Sequence, residues 1–148
     1  MVLHILWASM YGGAEEVAYN LKDLAESRSL EVVIKELNAV SIDQLAEISN
    51  LAIVSSTTGQ GDLPSNGEDF WLELEATSIE LPNVKYSVCA LGDIAYEKFC
   101  GAGKKVDARL AELGAQRIVE RVDCDAGDEG SQEWSEALLD KLQGYQSN

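Results

Sequence analysis

Three loops of this chain combine glycines, hydroxyls and short polar residues at the ends of apolar runs. The first is Ser9-Met10-Tyr11-Gly12-Gly13-Ala14, followed by Glu15. The second is Ser55-Ser56-Thr57-Thr58-Gly59-Gln60-Gly61-Asp62-Leu63-Pro64, which follows the uncharged run Leu51-Ala52-Ile53-Val54. The third is Leu91-Gly92-Asp93-Ile94-Ala95-Tyr96-Glu97-Lys98-Phe99-Cys100-Gly101. Their chemistry is that of binding rather than bond-making. A glycine turn opening a helix presents free N–H groups and the positive end of a helix dipole to a phosphate, and Ser9 adds a hydroxyl. The second loop can satisfy a polar ligand without placing charge beside it, and its glycines allow close backbone approach. In the third, Tyr96 offers a flat ring for stacking.

Several alternatives are excluded by spacing. The first loop lacks the lysine of the nucleotide-triphosphate loop and lacks G-x-G-x-x-G. Receiver domains need acids after the first strand and an aspartate after the third. Here those places hold Trp7-Ala8-Ser9 and Ser55-Ser56-Thr57. A phosphatase of similar topology needs C-x-x-x-x-x-R in its first loop, which is absent. Cys89, Cys100 and Cys124 form no metal or redox motif and read as reduced thiols. His4, Trp71 and Trp134 read as packing residues, while Trp7 stands at a strand end beside the first loop.

The elements that must position these loops alternate strand and helix. Val2 to Trp7 is the first strand. Val17, Leu21, Leu24 and Ala25 recur at helical spacing. Leu30 to Leu37 is a second strand, Leu51 to Ser56 a third, Val84 to Leu91 a fourth and Gln116 to Val122 a fifth. Ser41 and Gln44 stand in capping-box spacing before a short helix. Phe70, Trp71 and Leu74 mark another helix. Val106, Leu110 and Leu113 mark a helix stopped by Gly114. Trp134, Leu138, Leu139 and Leu142 mark the last. The expected fold is α/β, a three-layer sandwich around a five-stranded parallel sheet in the order 2-1-3-4-5, formed by residues 1–148 as one domain. Ligands bind such sheets at the carboxyl ends of strands beside the switch point, here between strands one and three.

The 148 residues carry a formal net charge of −15, which argues against nucleic acid as a partner. No Lys or Arg occurs between Lys35 and Lys85, and a second acidic block runs from Asp123 to Asp140. These blocks are either a solubilising surface or a docking face for a basic partner. No apolar run reaches membrane-span length and the first residues lack a signal-peptide pattern, so a cytoplasmic monomer is expected.

With these residues in place, the chain resembles the short-chain flavodoxins, the MioC-type ones most, and the FMN domains of sulfite reductase flavoprotein and NADPH–cytochrome reductases. The stretches SSTTGQGDLP and ALGDIAYEKFCGAGKKVDARLAELGAQRIVERVD carry the resemblance. It implies FMN as cofactor, with its phosphate on Ser9, Met10, Tyr11, Gly12, Gly13 and Ala14. Ser56, Thr57, Thr58 and Gly59 would border the flavin ring. Leu91, Gly92, Asp93, Ile94, Ala95, Tyr96, Glu97, Lys98, Phe99 and Cys100 would cup its other side, with Tyr96 stacked on it. Two residues depart from the pattern. Tyr11 stands where the family often has Thr, and Thr58 where many relatives carry an aromatic residue.

The resemblance implies a one-electron carrier rather than a stand-alone enzyme. Its donor would be a ferredoxin/flavodoxin–NADP reductase type protein, docking on the acidic face, and its acceptor a further enzyme. Asp62, Glu68, Asp93, Glu97 and Asp125 would ring the flavin. A carboxylate about 8 Å away at an effective dielectric of about 20 opposes added negative charge by roughly 2 kcal/mol. That lowers a one-electron potential by roughly 85 mV. The second reading is an interaction protein that keeps the fold but binds FMN weakly or not at all.

Overall fold

The computed structural model describes residues 1–92, 98–125 and 127–146. Its strands are β1 (Val2–Ala8), β2 (Glu31–Glu36), β3 (Asn50–Ser55), β4 (Lys85–Gly92), β5 (Gln116–Arg117) and β6 (Val122–Asp125). Its helices are α1 (Gly13–Ser27), α2 (Ile42–Ala46), α3 (Ser65–Ala76), α4 (Gly101–Glu112) and α5 (Ser131–Gln146). The sheet is parallel in the order β2-β1-β3-β4-β5, with β6 also on β4.

Alternation along each strand divides the core in two. Leu3, Ile5 and Trp7 of β1 join Ala52 and Val54 of β3 and Cys89 and Leu91 of β4 under α1 and α5. Leu6 and Ala8, Leu51 and Ile53, and Tyr86 and Val88 face the other way, under α2, α3 and α4. A period of two in strands buried on both faces yields this three-layer sandwich. Trp7 and Trp134 belong to the α1/α5 side of the core, whereas Trp71 is half-buried against the other. Glycine permits one especially close layer contact. A Cβ on Gly103 of α4 would fall on the Ala90 methyl of β4, so that helix lies with its backbone against the strand. Ser41 and Gln44 cap α2 reciprocally. The Gln44 N–H donates to Ser41 Oγ at 3.2 Å, and the Ser41 N–H donates to Gln44 Oε1 at 2.9 Å.

The fifth strand differs from the continuous Gln116–Val122 run expected. It is split into β5 and β6, and residues 118–121 bulge opposite Ser87 and Val88 of β4. A buried carboxylate outside the strand ties the two sides of the break together. Asp107 of α4 accepts from Arg117 Nε at 2.8 Å, from Arg121 Nη1 at 2.7 Å and from the Tyr86 hydroxyl at 2.7 Å. Both arginines of the split strand thus meet on one carboxylate. The bulge brings the two guanidinium groups together. Ser87 Oγ donates to the Val119 carbonyl and accepts from Trp134 Nε1, both at 2.8 Å, so the bulged backbone stays satisfied. Burial and the bond to Asp107 hold the Tyr86 hydroxyl protonated far above its ordinary range.

Asp107 is buried while its arginine partners keep some exposure. Asp107→Ala therefore strands two cations rather than a fully buried one. It should lower the free energy of unfolding by about 3 kcal/mol, near the lower end for a broken buried pair. Urea titration measures this, and a change within experimental error would show the network to be idle.

Candidate functional site

The carboxyl ends of β1, β3 and β4 deliver the three loops to one edge of the sheet. They enclose a cleft of about 360 Å³ lined by Met10, Tyr11, Thr57, Thr58, Gly59, Gly92, Lys98, Phe99 and Cys100. All nine stand among the residues singled out in the sequence. The others with described placements stand behind the lining. Ala14 and Leu91 are buried in the α1/α5 core. Gly13 packs toward the Leu91 side chain, and the Ser56 N–H donates to the Ala8 carbonyl at 3.0 Å. Asp93, Ile94, Ala95, Tyr96 and Glu97 lie outside the described residues.

The first loop is held at both ends. Asn66 at the start of α3 accepts the Ser9 N–H at 3.1 Å, and Ser9 Oγ accepts the Gly12 N–H at 2.9 Å. Gly12 stands in the left-handed region at φ 92, and among the described residues no side chain caps α1. The helix therefore begins at the cleft with its first N–H groups available to an anion.

The second loop folds on itself. The Thr58 and Asp62 backbones exchange hydrogen bonds at 2.8 Å, closing a tight turn through Gly59, Gln60 and Gly61. Gly61 has φ 86, and its Cα lies 2.8 Å from where a Cβ on Gly101 would stand. Two glycines facing each other thus let this loop touch the start of α4. Thr57 completes the contact, its hydroxyl accepting the Ala102 N–H at 3.3 Å. Lys105 of α4 lies 3.7 Å from the Asp62 carboxylate and 4.8 Å from the centre of the Trp71 ring, bridging loop and α3 from outside.

Electrostatically the cleft differs from the rest of the surface. Among the described lining residues there is no carboxylate and one cation, Lys98. Asp62 and Glu68 are exposed beyond the second loop, and Asp125 is half-buried at the end of β6. Cys100 is buried at the third wall, its thiol pushed up to about 12 by burial and by the Asp123 charge. Cys89 and Cys124 lie behind it with sulfurs 3.9 Å apart. Their hydrogen bond, followed by burial, raises the Cys89 thiol.

The model of the family described as flavodoxin matches residues 5–137. The chain belongs to the flavodoxin family. It is 39% identical over 140 residues to the sulfite reductase [NADPH] flavoprotein alpha-component of Bacillus subtilis, covering 93% of this chain and 23% of that protein. The chain thus spans less than a quarter of that relative's length. A solved flavodoxin of Streptococcus pneumoniae superposes with TM-score 0.85 at 28% identity, covering 98% of this chain and 99% of that one. Oxidised flavodoxin 2 of Bacillus cereus superposes with TM-score 0.83 at 31% identity, covering 95% of this chain and 99% of that one. Membership implies FMN as the cofactor and electron transfer as the role.

The site fits that cofactor. A helix start with free N–H groups suits a phosphate, and a cleft whose described lining is mostly hydroxyls and apolar groups suits a flat heterocycle. The supporting residues Asn66 and Lys105, and the Gly61–Gly101 contact, carried no signal in the sequence. Each acts through a neighbour brought in by the fold. Motif reading could have found Thr57 as part of a loop, but not as the cap of a helix 45 residues away.

The thiols give a direct check on the third wall. Cys100 should remain a thiol at pH 8, and all three cysteines are buried. Native protein should take up no iodoacetamide at that pH, and unfolded protein three equivalents by mass spectrometry. Rapid labelling of native protein would contradict the closed third wall.

Proposed function

We propose that this chain holds FMN in the cleft and carries single electrons between partner enzymes, without chemistry of its own on a substrate. The observation that carries the reading is the meeting of three loops, from three strands, on one cleft that begins at the start of a helix. FMN supplies the redox chemistry when bound, and the protein supplies binding, orientation and electrostatics.

Each wall then has a task. Ser9, with the N–H groups opening α1, holds the phosphate. Thr57, Thr58 and Gly59 border the ring on one side, and Gly92, Lys98, Phe99 and Cys100 on another. Asp93 to Glu97, with Tyr96 as the stacking residue, complete the third wall in this reading. Gly59 has φ 50, so the peptide after it can turn its C=O or its N–H toward the ring edge at little cost.

The donor is a separate NADPH-dependent reductase of the ferredoxin/flavodoxin–NADP type, and the acceptor is a second enzyme. The relationship to a sulfite reductase flavoprotein supports a reductase-linked path. The exposed acids of the second loop and α3, Asp62, Glu68, Asp69 and Glu73, would meet a basic patch on the partner. The carrier acts as a monomer in the cytoplasm, a compartment consistent with three unpaired cysteines. No helix among the described residues is long and apolar enough to cross a membrane.

Apoprotein mixed with FMN and freed of excess should retain about one equivalent of flavin, read from its visible absorption. Protein that emerges colourless would refute the assignment and leave an interaction role for the fold. With flavin bound, the rate of reduction by a ferredoxin–NADP reductase should fall several-fold as ionic strength rises past about 0.1 M, where screening shortens to about 10 Å. A salt-independent rate would refute docking through the acidic face.

A further inference from the structure

Tyr11 stands at the mouth of the cleft in an arrangement that the fold itself does not require. Its residues on either side are fixed. The Ser9 N–H is held by Asn66, the Gly12 N–H by Ser9 Oγ, and Ala14 is fully buried. Yet the Tyr11 side chain is 94% exposed, although the residue lines the cleft. Among the described residues its hydroxyl has no hydrogen-bond partner and its ring touches no cation. Covering such a ring with a flat ligand would remove its apolar faces from water.

The surrounding walls show what the ring could cover. Two aromatic residues line the cleft among the described ones, Tyr11 and Phe99. Phe99 is half-buried and engaged, with Lys104 Nζ 5.2 Å from its ring centre. The wall contributed by the second loop has only Thr57, Thr58 and Gly59, none with a broad apolar face. A flat ligand in the cleft is therefore left open where that wall is low. Space beside the stalk is free as well. A Cβ added at Gly12 would meet nothing within 4 Å, so the neighbouring ring can change rotamer without a clash there.

We propose that Tyr11 folds over the open face of the flavin ring. It is an aromatic cover supplied by the loop that also holds the phosphate, and its ring rather than its hydroxyl makes the contact. The proposal rests on the reading that FMN occupies the cleft. It gives the first loop two tasks, with backbone and Ser9 on the phosphate and Tyr11 on the ring. It also places the cover on the most exposed large hydrophobic residue among the described ones, so ligand binding itself closes the site.

Riboflavin, which has the ring but no phosphate, separates the two roles that Tyr11 could play. Apoprotein of wild type, Tyr11→Phe and Tyr11→Ala would be titrated with FMN and with riboflavin, following quenching of flavin fluorescence. An exposed side chain can be truncated without disturbing the core, and far-UV circular dichroism confirms that each variant is folded. The expected result is that Tyr11→Ala weakens both flavins by about the same factor, roughly tenfold for one lost stacking contact. Tyr11→Phe should stay within about twofold of wild type for both, since the ring that stacks is kept. Loss confined to FMN, and equal in Phe and Ala variants, would overturn the proposal in favour of a hydroxyl–phosphate contact. Unchanged affinities in Tyr11→Ala would overturn it too. Wild-type protein that binds neither flavin would instead refute the cleft assignment on which the proposal stands.

Discussion

The winding of the chain reverses between β1 and β3, and the site depends on that reversal. From β1 the chain passes through α1 on one face of the sheet to β2. It then returns to β3 on the opposite side of β1 and continues through helices on the other face. Neighbouring connections therefore leave the two central strands in opposite directions, and a crevice opens at their carboxyl ends. Tight packing keeps the crevice narrow. Gly103 sets α4 against β4, and Gly61 meets Gly101 where the second loop touches the start of that helix. Larger residues at these positions would push the loops apart and widen the cleft.

Polar bonds then fix loops that carry few apolar contacts of their own. Asn66 reaches from α3 to the first loop, Thr57 from the second loop to α4, and Lys105 from α4 back to Asp62. These cross-links are single and partly exposed, so each is weak alone. Together they join three segments distant in the chain into one rim. The acidic surface stops short of the described cleft lining. An electron carrier benefits from that separation: charge outside guides a partner, while a lining whose one described charge is the cation Lys98 avoids strong repulsion of a reduced ring.

The alternation of buried residues made the strands and their order legible in the sequence. In β3, Leu51 and Ile53 face one layer and Ala52 and Val54 the other, as expected for a strand covered on both sides. The α2 cap at Ser41 and the stop at Gly114 were legible because each depends on residues a few positions apart. The split of the fifth strand was not. Asp107, on a helix, ties its two sides through two arginines that in the sequence look like ordinary exposed strand positions. The site was legible as loops rather than as contacts. Tyr11 could be seen to break a pattern, but its near-complete exposure belongs to the folded rim. The support from Asn66 likewise exists only once α3 lies beside β1.

Backbone amide mapping would locate the flavin residue by residue. Uniformly 15N-labelled apoprotein would be titrated with FMN, and assigned amide shifts followed residue by residue. The largest changes are expected at Met10 to Glu15, Thr57 to Gln60, Gly92 and Lys98 to Cys100, with β2 nearly unmoved. Large shifts confined to another surface, or none at saturating FMN, would contradict a flavin site at the junction of these three loops.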